Sequence, residues 1–236
     1  MKHPQQIVAQ LRGRLVVSCQ APADSPLHDP YVIARMALAA EQGGAGAVRL
    51  DSPRHVAAAR ALCAVPLIGL HKLRYEPSPV YITPTRAAAL SIIEAGADVI
   101  ALDATARDRP NGERLADIIN VIRGHGRLVM ADVATEVQGR VAADLGVDLI
   151  ATTLAGYTED TFRHPGPDLA LVEALALATR VPVVCEGRVR STADVRDAFR
   201  AGAYAVVVGG AITGIDAAVR SFVEATPSGL AETMET

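Results

Sequence analysis

The sequence predicts a single (β/α)8 barrel, and three observations support this fold class. The chain has 236 residues, close to the ~250 of a typical barrel of this kind. Eight short, apolar, β-branched segments alternate with longer segments of helical spacing. A weak internal repeat also places a similar turn before every second strand. These features favour a closed barrel over a doubly wound open sheet, which is the alternative for the same alternation of elements.

The candidate strands lack a clean alternation of polar and apolar residues, as is typical of parallel strands that are buried on both faces. In chain order they are Leu15–Cys19, Ala47–Leu50, Leu67–His71, Val99–Leu102, Leu128–Ala131, Leu149–Thr152, Val183–Cys185 and Ala205–Val208. Helical segments lie between them. Ser191, followed by Asp194 three residues later, predicts a capped start for the helix after the seventh strand.

The internal repeat consists of a glycine, a short link and a strand. It occurs at Gly44–Val48, Gly96–Ile100, Gly146–Ile150 and Gly202–Val206, and each glycine is well suited to end the preceding helix. No interdomain linker interrupts the pattern. We therefore predict one barrel domain over residues 1–225 and a disordered polar tail over residues 226–236.

Composition argues against several classes of partner. Half of the residues are hydrophobic, tryptophan is absent and the net charge is −3, so nucleic acid is not an expected partner. No apolar run approaches the ~18 residues of a membrane span, and residues 1–10 lack the apolar core of a signal peptide. Cys19, Cys63 and Cys185 are odd in number and widely spaced, as expected of reduced thiols. We expect a soluble cytoplasmic protein.

Polar residues or glycines stand where the predicted strands end, and such positions face the active site in a (β/α)8 barrel. They are Gln20, Arg49, Lys72, Asp103, Asp132, Thr153, Glu186 and the pair Gly209-Gly210, with Arg49 lying inside the second strand. No set of His and Asp residues stands at several of these strand ends. We therefore expect no bound metal.

The seventh and eighth strands give the most specific signal. The seventh ends on the carboxylate of Glu186, which Gly187 and Arg188 follow directly, and the eighth ends in Gly209-Gly210 before a helix. Two neighbouring strand ends with exposed backbone amides can form a phosphate site. An acid beside a phosphate site indicates an enzyme that acts on a small phosphorylated molecule.

Each of these residues also has a structural interpretation that the sequence leaves open. Arg49 could pair with Asp51 or Glu41, and Glu186 with Arg188 or Arg190. Asp103 and Thr153 could cap helices, Lys72 could lie on the surface, and Gly209-Gly210 could serve helix packing. Packing at the core or its edge is the favoured interpretation for His28 and His71.

Taken in order, short motifs along the chain resemble the family of N-acetylmannosamine-6-phosphate 2-epimerases. The similarity extends from about Leu15 to Ala225. The motifs are Ser18-Cys19-Gln20-Ala21, Gly69–Lys72, Tyr81–Thr85, Leu102–Thr105, Arg109-Pro110, Ala131-Asp132, Thr152–Thr158, Glu186-Gly187-Arg188 and Val208–Thr213. The resemblance implies a bacterial (β/α)8 barrel that interconverts N-acetylmannosamine 6-phosphate and N-acetylglucosamine 6-phosphate in sialic acid breakdown.

The resemblance also implies residue roles. Lys72 and Glu186 would be the catalytic pair. Gln20, Arg49 and Asp132 would contact the sugar, and the backbone near Gly187, Arg188, Gly209 and Gly210 would hold the phosphate. One departure concerns the last motif: the family usually has Arg-Pro after its threonine, whereas here Thr213 precedes Gly214-Ile215. Arg188 and Arg190 are the candidate replacements for that arginine.

The expected chemistry follows from the position of C2 beside the C1 aldehyde of the open-chain sugar. Loss of the C2 proton gives an enolate, so the reaction requires neither a redox cofactor nor a metal. Inversion needs proton access to both faces of C2, which an acid and a base can provide. The sequence leaves open which of Lys72 and Glu186 is the base in each direction.

Other functions are compatible with the same residues. Lys72 could form a Schiff base in an aldolase, the site could belong to a lyase of the indole-glycerol-phosphate synthase type, or the barrel could bind a phosphosugar without catalysis. A homodimer is also possible. The predicted helix Ala211–Ala225 has an apolar face that could contact a second copy or pack on the barrel; its members are Ala217, Ala218, Val219 and Phe222.

Overall fold

The computed structural model describes residues 4–163 and 165–227. Within them, eight parallel strands pair in chain order, and the first strand also pairs with the eighth. The strands are β1 Arg14–Ser18, β2 Ala47–Asp51, β3 Leu67–Leu70, β4 Val99–Asp103, β5 Leu128–Asp132, β6 Leu149–Ala151, β7 Val183–Glu186 and β8 Ala205–Val208. The predicted (β/α)8 barrel is therefore confirmed, and the predicted strand ends differ from the observed ones by at most one residue.

Helices separate the strands and surround the barrel. They are α1 Pro4–Leu11, α2 Pro30–Gln42, α3 Pro53–Arg60, α4 Arg86–Glu94, α5 Leu115–Gly124, α6 Glu136–Asp144, α7 Leu169–Ala178, α8 Thr192–Arg200, α9 Gly210–Thr213 and α10 Ile215–Glu224, with a short 3-10 turn at Pro110–Gly112. The predicted cap of α8 is confirmed: Ser191 Oγ accepts from the Asp194 amide, and the Asp194 carboxylate accepts from the Ser191 amide.

Two apolar layers hold the barrel together. Alternate strand residues, such as Val16 and Met130, point into the barrel, where Ile7 and Leu11 of α1 close the N-terminal end. The residues between them, such as Val17, pack under the surrounding helices. The parallel strands are thus buried on both faces, which explains why their sequences show no polar alternation.

The C-terminal end of the described chain departs from the prediction. The predicted helix Ala211–Ala225 is two helices, because Gly214 has a non-helical backbone (φ −86°, ψ 62°) that ends α9 before α10 begins. None of the residues of α10 is buried. Residues 226 and 227 follow α10, and the remainder of the predicted tail, 228–236, lies outside the described residues.

Candidate active site

Strand periodicity points three charged side chains into the C-terminal end of the barrel. In each of β2, β5 and β7, an apolar residue near the C-terminal end of the strand faces into the barrel. Side chains alternate along a strand, so the next inward position falls on Arg49, Asp132 and Glu186. These residues come from strands that are not adjacent in the barrel.

The three side chains form a buried ion-pair cluster. Arg49 Nη1 and Nη2 donate to the two carboxylate oxygens of Asp132 at 3.1 and 2.6 Å, and Nη1 also donates to Oε2 of Glu186. The exposed fractions of the Arg49, Asp132 and Glu186 side chains are 1 %, 0 % and 13 %. Arg49 and Glu186 thus pair across the barrel, rather than with the sequence neighbours that were the structural alternatives.

Burial sets the charge state of the cluster. It raises the pKa of Glu186 from the ordinary 4.5 to about 7; Asp132 adds to the increase, whereas Arg49 and Lys72 oppose it. Burial also acts against the charge of Arg49, but attraction to Asp132 and Glu186 outweighs it and raises the pKa of Arg49. The guanidinium therefore stays charged, while Glu186 can exchange a proton near neutral pH.

Two threonines from the end of β6 support the carboxylates. Thr153 Oγ1 donates to Asp132 Oδ1 at 2.8 Å. Thr152 Oγ1 accepts from the Glu186 amide at 3.1 Å and donates to the Glu186 carbonyl oxygen at 3.0 Å. Thr153 therefore positions a carboxylate and is not the helix cap that was one of its interpretations.

Lys72 stands two residues beyond β3, at an inward-facing position. Its Nζ donates to Gln20 Oε1 at 2.5 Å, and Gln20 Nε2 donates to Ser18 Oγ at 3.0 Å. The Lys72 amide donates to Asp51 Oδ1 at 2.9 Å, which fixes the backbone beneath the side chain. The amine is accessible from the barrel mouth and has a neutral partner in Gln20.

The pKa of Lys72 is lowered from its ordinary 10.5, chiefly because the surrounding protein desolvates the ammonium group, with a smaller contribution from Arg49. Asp51, Glu186 and Asp132 act in the opposite direction. The pKa values of the two predicted catalytic residues are thus shifted toward each other. Such convergence favours proton exchange with one substrate at near-neutral pH.

One cavity of about 870 Å³ at the barrel mouth, hereafter the central cavity, brings together most of the predicted site residues. Those that line it are Gln20, Arg49, Lys72, Glu186, Gly187, Arg188, Gly209 and Gly210. Asp132 is the exception. It lies fully buried beneath Arg49, so it contacts the cavity only through that guanidinium and through Thr153.

Glycine geometry shapes the side of the central cavity at β7 and β8. Gly187 has φ +113° and Arg188 has φ +55°, a turn that the glycine adopts without strain. Gly209 lies so near β1 that an added Cβ would approach Ser18 Cβ to 3.3 Å. The backbone of Gly209 and Gly210, where α9 begins, borders the same space, whereas the Ile212 and Thr213 amides of α9 donate to the Gly209 carbonyl oxygen.

The arginines near the β7 and β8 side of the central cavity differ from one another in their surroundings. The Arg188 side chain turns to a neighbouring loop, where it donates to the carbonyl oxygens of Gly166 and Ala155 at 2.9 and 2.8 Å and lies over the Tyr157 ring. Arg190 lines the central cavity, and so does Arg220 of α10. Arg220 could not be predicted from the sequence, because no local pattern indicates which face of α10 borders the cavity.

One other predicted position, Asp103, serves structure. Asp103 is buried, accepts from Thr105 at 2.9 Å and pairs with Arg107 at 2.6 Å. It neither caps a helix nor lines the central cavity. Tyr81, in contrast, lines the central cavity, although the family resemblance implied no role for it. Its pKa is raised by burial and by nearby Asp132 and Asp103, so its phenol stays protonated and able to donate.

Two features are absent from residues 4–163 and 165–227. No cluster of three or more His, Cys, Asp or Glu side chains there has the arrangement of a metal site. None of the helices in that part of the chain combines the length and apolar character needed to cross a bilayer.

The fold and the site together define the class: a (β/α)8-barrel enzyme with a carboxylate and an amine at the C-terminal mouth of the barrel. The sequence model of the NanE family, described as N-acetylmannosamine-6-phosphate epimerase, matches residues 33–228. The chain therefore belongs to the family of N-acetylmannosamine-6-phosphate epimerases, and it is an isomerase of that type.

Individual relatives agree with the family assignment. A protein of Synechococcus elongatus that carries the 2-epimerase name is 49 % identical over 224 residues, covering 94 % of this chain and 97 % of the relative. A Clostridium perfringens protein of the same name is 42 % identical over 203 residues, covering 86 % and 92 %.

Solved structures give the same result. The N-acetylmannosamine-6-phosphate 2-epimerase from Clostridium perfringens superposes with a TM-score of 0.91 at 39 % identity, covering 93 % of this chain and 96 % of that one. The α-subunit of tryptophan synthase from Pyrococcus furiosus, at a TM-score of 0.60 and 19 % identity over 86 % of this chain and 90 % of that one, shares only the fold.

Proposed function

We propose that this chain interconverts N-acetylmannosamine 6-phosphate and N-acetylglucosamine 6-phosphate by removing and returning the proton at C2. One observation carries the proposal: the amine of Lys72 and the carboxylate of Glu186, far apart in the sequence, line one cavity. Their pKa values are shifted in opposite directions, toward neutrality. An acid and a base on one cavity can give proton access to both faces of an acidic carbon, as inversion requires.

The proposed reaction begins with the open-chain sugar, whose C1 aldehyde makes the C2–H bond acidic. In one direction the Glu186 carboxylate takes the C2 proton from one face, and the C–H electron pair moves to the C1 oxygen as an enolate. The Lys72 ammonium then returns a proton to C2 from the opposite face, and the aldehyde forms again. The step leaves Glu186 protonated and Lys72 neutral, and proton exchange with solvent restores the starting state. In the other direction the two groups exchange roles, and the sugar gains and loses no atom overall.

Arg49 and Asp132 keep Glu186 in place during this cycle. The guanidinium is nearly inaccessible to water and remains charged when Glu186 is protonated, since Asp132 still neutralises it. A fixed cation beside the cavity also stabilises negative charge that develops on the substrate. In this proposal Asp132 acts through Arg49, and Gln20 orients the Lys72 amine.

The substrate phosphate would bind at the ends of β7 and β8. Support comes from the backbone of Gly187 and Arg188, the backbone of Gly209-Gly210, and the cation of Arg190 or Arg220, all of which border the same cavity. Arg188 contributes by holding the loop, because its guanidinium already contacts two carbonyl oxygens. Binding energy from this remote group can orient C2 and so accelerate the reaction.

The test is a proton NMR time course with N-acetylmannosamine 6-phosphate in D₂O. We expect the 2-epimer to form with deuterium at C2, and N-acetylmannosamine without phosphate to lose both rate and affinity. Absence of C2 exchange with the phosphorylated sugar would refute the proposal. Irreversible inactivation by borohydride with substrate present would instead reveal a Schiff base and favour the aldolase alternative.

We also propose that the chain forms a homodimer through α10. The apolar residues Ile215, Val219, Phe222 and Val223 are 55 %, 55 %, 78 % and 54 % exposed, and such a contiguous apolar face typically marks an interaction surface. Sedimentation should give a dimer that Phe222→Glu weakens, whereas Leu177→Glu, at a position 84 % exposed on α7, has no effect. A monomeric wild-type protein at micromolar concentration would refute this part.

A cytoplasmic location is the third part of the proposal. It is supported by the three free, buried cysteines. Burial raises the pKa of Cys19 and of Cys185 to about 12 and that of Cys63 to about 11, so these groups remain unreactive thiols, which suits a reducing compartment. Fractionation of the native host, with detection of the protein in the periplasm, would contradict it.

A further inference from the structure

Tyr81 lies between β3 and α4, on the hairpin that also carries Lys72. Lys72 and Ile82 form an antiparallel bridge, and the Leu73 amide donates to the Tyr81 carbonyl oxygen at 2.9 Å. The Ile82 carbonyl oxygen accepts in turn from the amide of Asp103, the last residue of β4, at 3.0 Å. Tyr81 is therefore held at the ends of β3 and β4, and its side chain lines the central cavity.

We propose that the Tyr81 hydroxyl donates a hydrogen bond to the C1 oxygen of the open-chain sugar and stabilises the enolate that forms when C2 loses its proton. The inference rests on the proposed function. It deepens that function, because it assigns a residue to the oxygen on which negative charge accumulates during the reaction.

Neighbouring groups hold the Tyr81 ring in the cavity wall. The ring packs against the inner apolar layer of the barrel, and the guanidinium carbon of Arg74 lies 5.1 Å from the ring centroid. The phenol group is close enough to Arg49 and Asp132 to interact with both electrostatically. The hydroxyl therefore lies near the ion-pair cluster, on a ring that two contacts keep in place.

The Tyr81 hydroxyl is a donor that the protein does not use. It takes part in no hydrogen bond among residues 4–163 and 165–227. Burial, followed by the charges of Asp132 and Asp103, raises the pKa of Tyr81, so the hydroxyl keeps its proton. A protonated phenol is a good hydrogen-bond donor, and here it is available to an oxygen of the substrate.

Two other donors beside the cavity are already engaged. Nη1 and Nη2 of Arg49 donate to Asp132 and Glu186, and Nζ of Lys72 donates to Gln20. Arg49 thus provides positive charge, and Lys72 is needed for the proton transfer itself. A neutral donor outside the ion pairs would complete the surroundings that a developing oxyanion requires.

The order of the strands gives the direction of the sugar chain. In the closed barrel of eight strands, β3 and β4 lie opposite β7 and β8. The phosphate on C6 is proposed to bind at the ends of β7 and β8, and C2 lies between Lys72 and Glu186. C1 is at the other end of the carbon chain from C6. Its oxygen is therefore directed toward β3 and β4, where Tyr81 is located.

The hydrogen bond assists a step that is balanced without it. The base takes the C2 proton, the C–H electron pair becomes the second bond between C1 and C2, and the π electrons of the carbonyl group move to the C1 oxygen. Tyr81 keeps its own proton throughout. Because its hydrogen bond is stronger to the developing anion than to the neutral aldehyde, it accelerates the chemical step more than it aids binding.

The experiment compares Tyr81→Phe with the wild-type protein, because phenylalanine keeps the ring and removes only the hydroxyl. With N-acetylmannosamine 6-phosphate we expect kcat to fall about a hundredfold, the lower end of the range for loss of one oxyanion donor. We expect KM to change less than about threefold, since the interaction belongs to the transition state. Deuterium exchange at C2 in D₂O should fall by the same factor as kcat, because it passes through the same enolate.

Two controls separate this role from a structural one. Tyr75 lies on the same hairpin, is 39 % exposed and does not line the central cavity, so Tyr75→Phe should leave kcat unchanged. The second control is the binding of N-acetylmannosaminitol 6-phosphate, which has an alcohol in place of the C1 aldehyde. Its dissociation constant should change less than about fivefold in Tyr81→Phe, which is within the effect of one neutral hydrogen bond.

Three results would overturn the inference. They are a wild-type kcat in Tyr81→Phe, an equal loss of kcat in Tyr75→Phe, and a loss of affinity for the C1 alcohol as large as the loss of kcat. Absence of turnover of the phosphorylated sugar by the wild-type protein would instead refute the proposed function, and the role of Tyr81 with it.

Discussion

The two proposed proton carriers face one cavity but are held in different ways. Glu186 ends a strand, is 13 % exposed and pairs with an arginine that a second carboxylate holds in place. Lys72 lies beyond its strand, is accessible to solvent, and has Gln20 as its hydrogen-bond partner. The carboxylate is thus held by a buried ion pair, whereas the amine is held at the cavity by one neutral side chain.

Removal of the Lys72 amine should have the largest effect on the rate of epimerisation. We expect Lys72→Ala to reduce epimerisation about a thousandfold, within the range of 10²–10⁴ for a general acid–base group, because one face of C2 loses its proton carrier. NMR in D₂O should still show slow C2 exchange without inversion in one epimer. Undiminished exchange together with inversion would show that Lys72 transfers no proton.

The ionisation of Glu186 should determine the acid side of the pH profile. Because Glu186 of the free protein has a pKa of about 7 and must be ionised to act as base, kcat/KM should rise about tenfold per pH unit below pH 7 and level off above it. At high pH it should fall as Lys72 loses its proton, below the ordinary 10.5. An acid limb near pH 4.5 would mean that burial does not perturb Glu186.

The ion-pair cluster that fixes Glu186 should also stabilise the fold. Arg49→Met should lower the free energy of unfolding by about 3–5 kcal/mol at pH 8, since it leaves two buried carboxylates without their cation. This loss of unfolding free energy should be smaller at pH 5, where protonation of the carboxylates relieves the repulsion between them. Arg140→Met breaks an exposed pair with Glu136 and should cost under about 1 kcal/mol. Equal losses in urea unfolding would contradict this account.

Local sequence patterns were sufficient for the barrel but not for the pairing within it. Apolar segments, glycine turns and strand ends predict the inward positions of Arg49, Asp132 and Glu186, because those follow from alternation along single strands. These three side chains meet because the sheet curves and closes into a barrel. No local sequence pattern encodes that curvature. The loop contacts of Arg188 and the outward face of α10 likewise depend on tertiary packing that spacing alone does not specify.

Arg220 should affect binding more than chemistry. We expect Arg220→Ala to raise KM for the phosphorylated sugar about tenfold with a smaller change in kcat, because a cation remote from C2 contributes to binding throughout the reaction. Arg196→Ala removes the same charge from an exposed position on α8 and should leave KM unchanged. If both variants raise KM equally, the effect is one of net charge and Arg220 does not contact the phosphate.

Substitution of Thr153 should have the smallest effect. It tests how strongly the neighbouring groups determine the pKa of Glu186. The Thr153 hydroxyl donates to Asp132 and, after burial, Arg49 and Asp132, is the next influence on the pKa of Glu186, which it lowers. Thr153→Val preserves the shape but removes the donor. We expect the acid limb to move up by less than about one pH unit, because the hydrogen bond goes to Asp132 and a full hydrogen bond to a charged group, about 1.5 kcal/mol, would correspond to about one pKa unit. Thr153→Ser keeps a hydroxyl and should restore the limb to about pH 7. A limb that stays in place in Thr153→Val would mean that Arg49 alone fixes the carboxylates, and that the threonine serves only the packing of the β6 end.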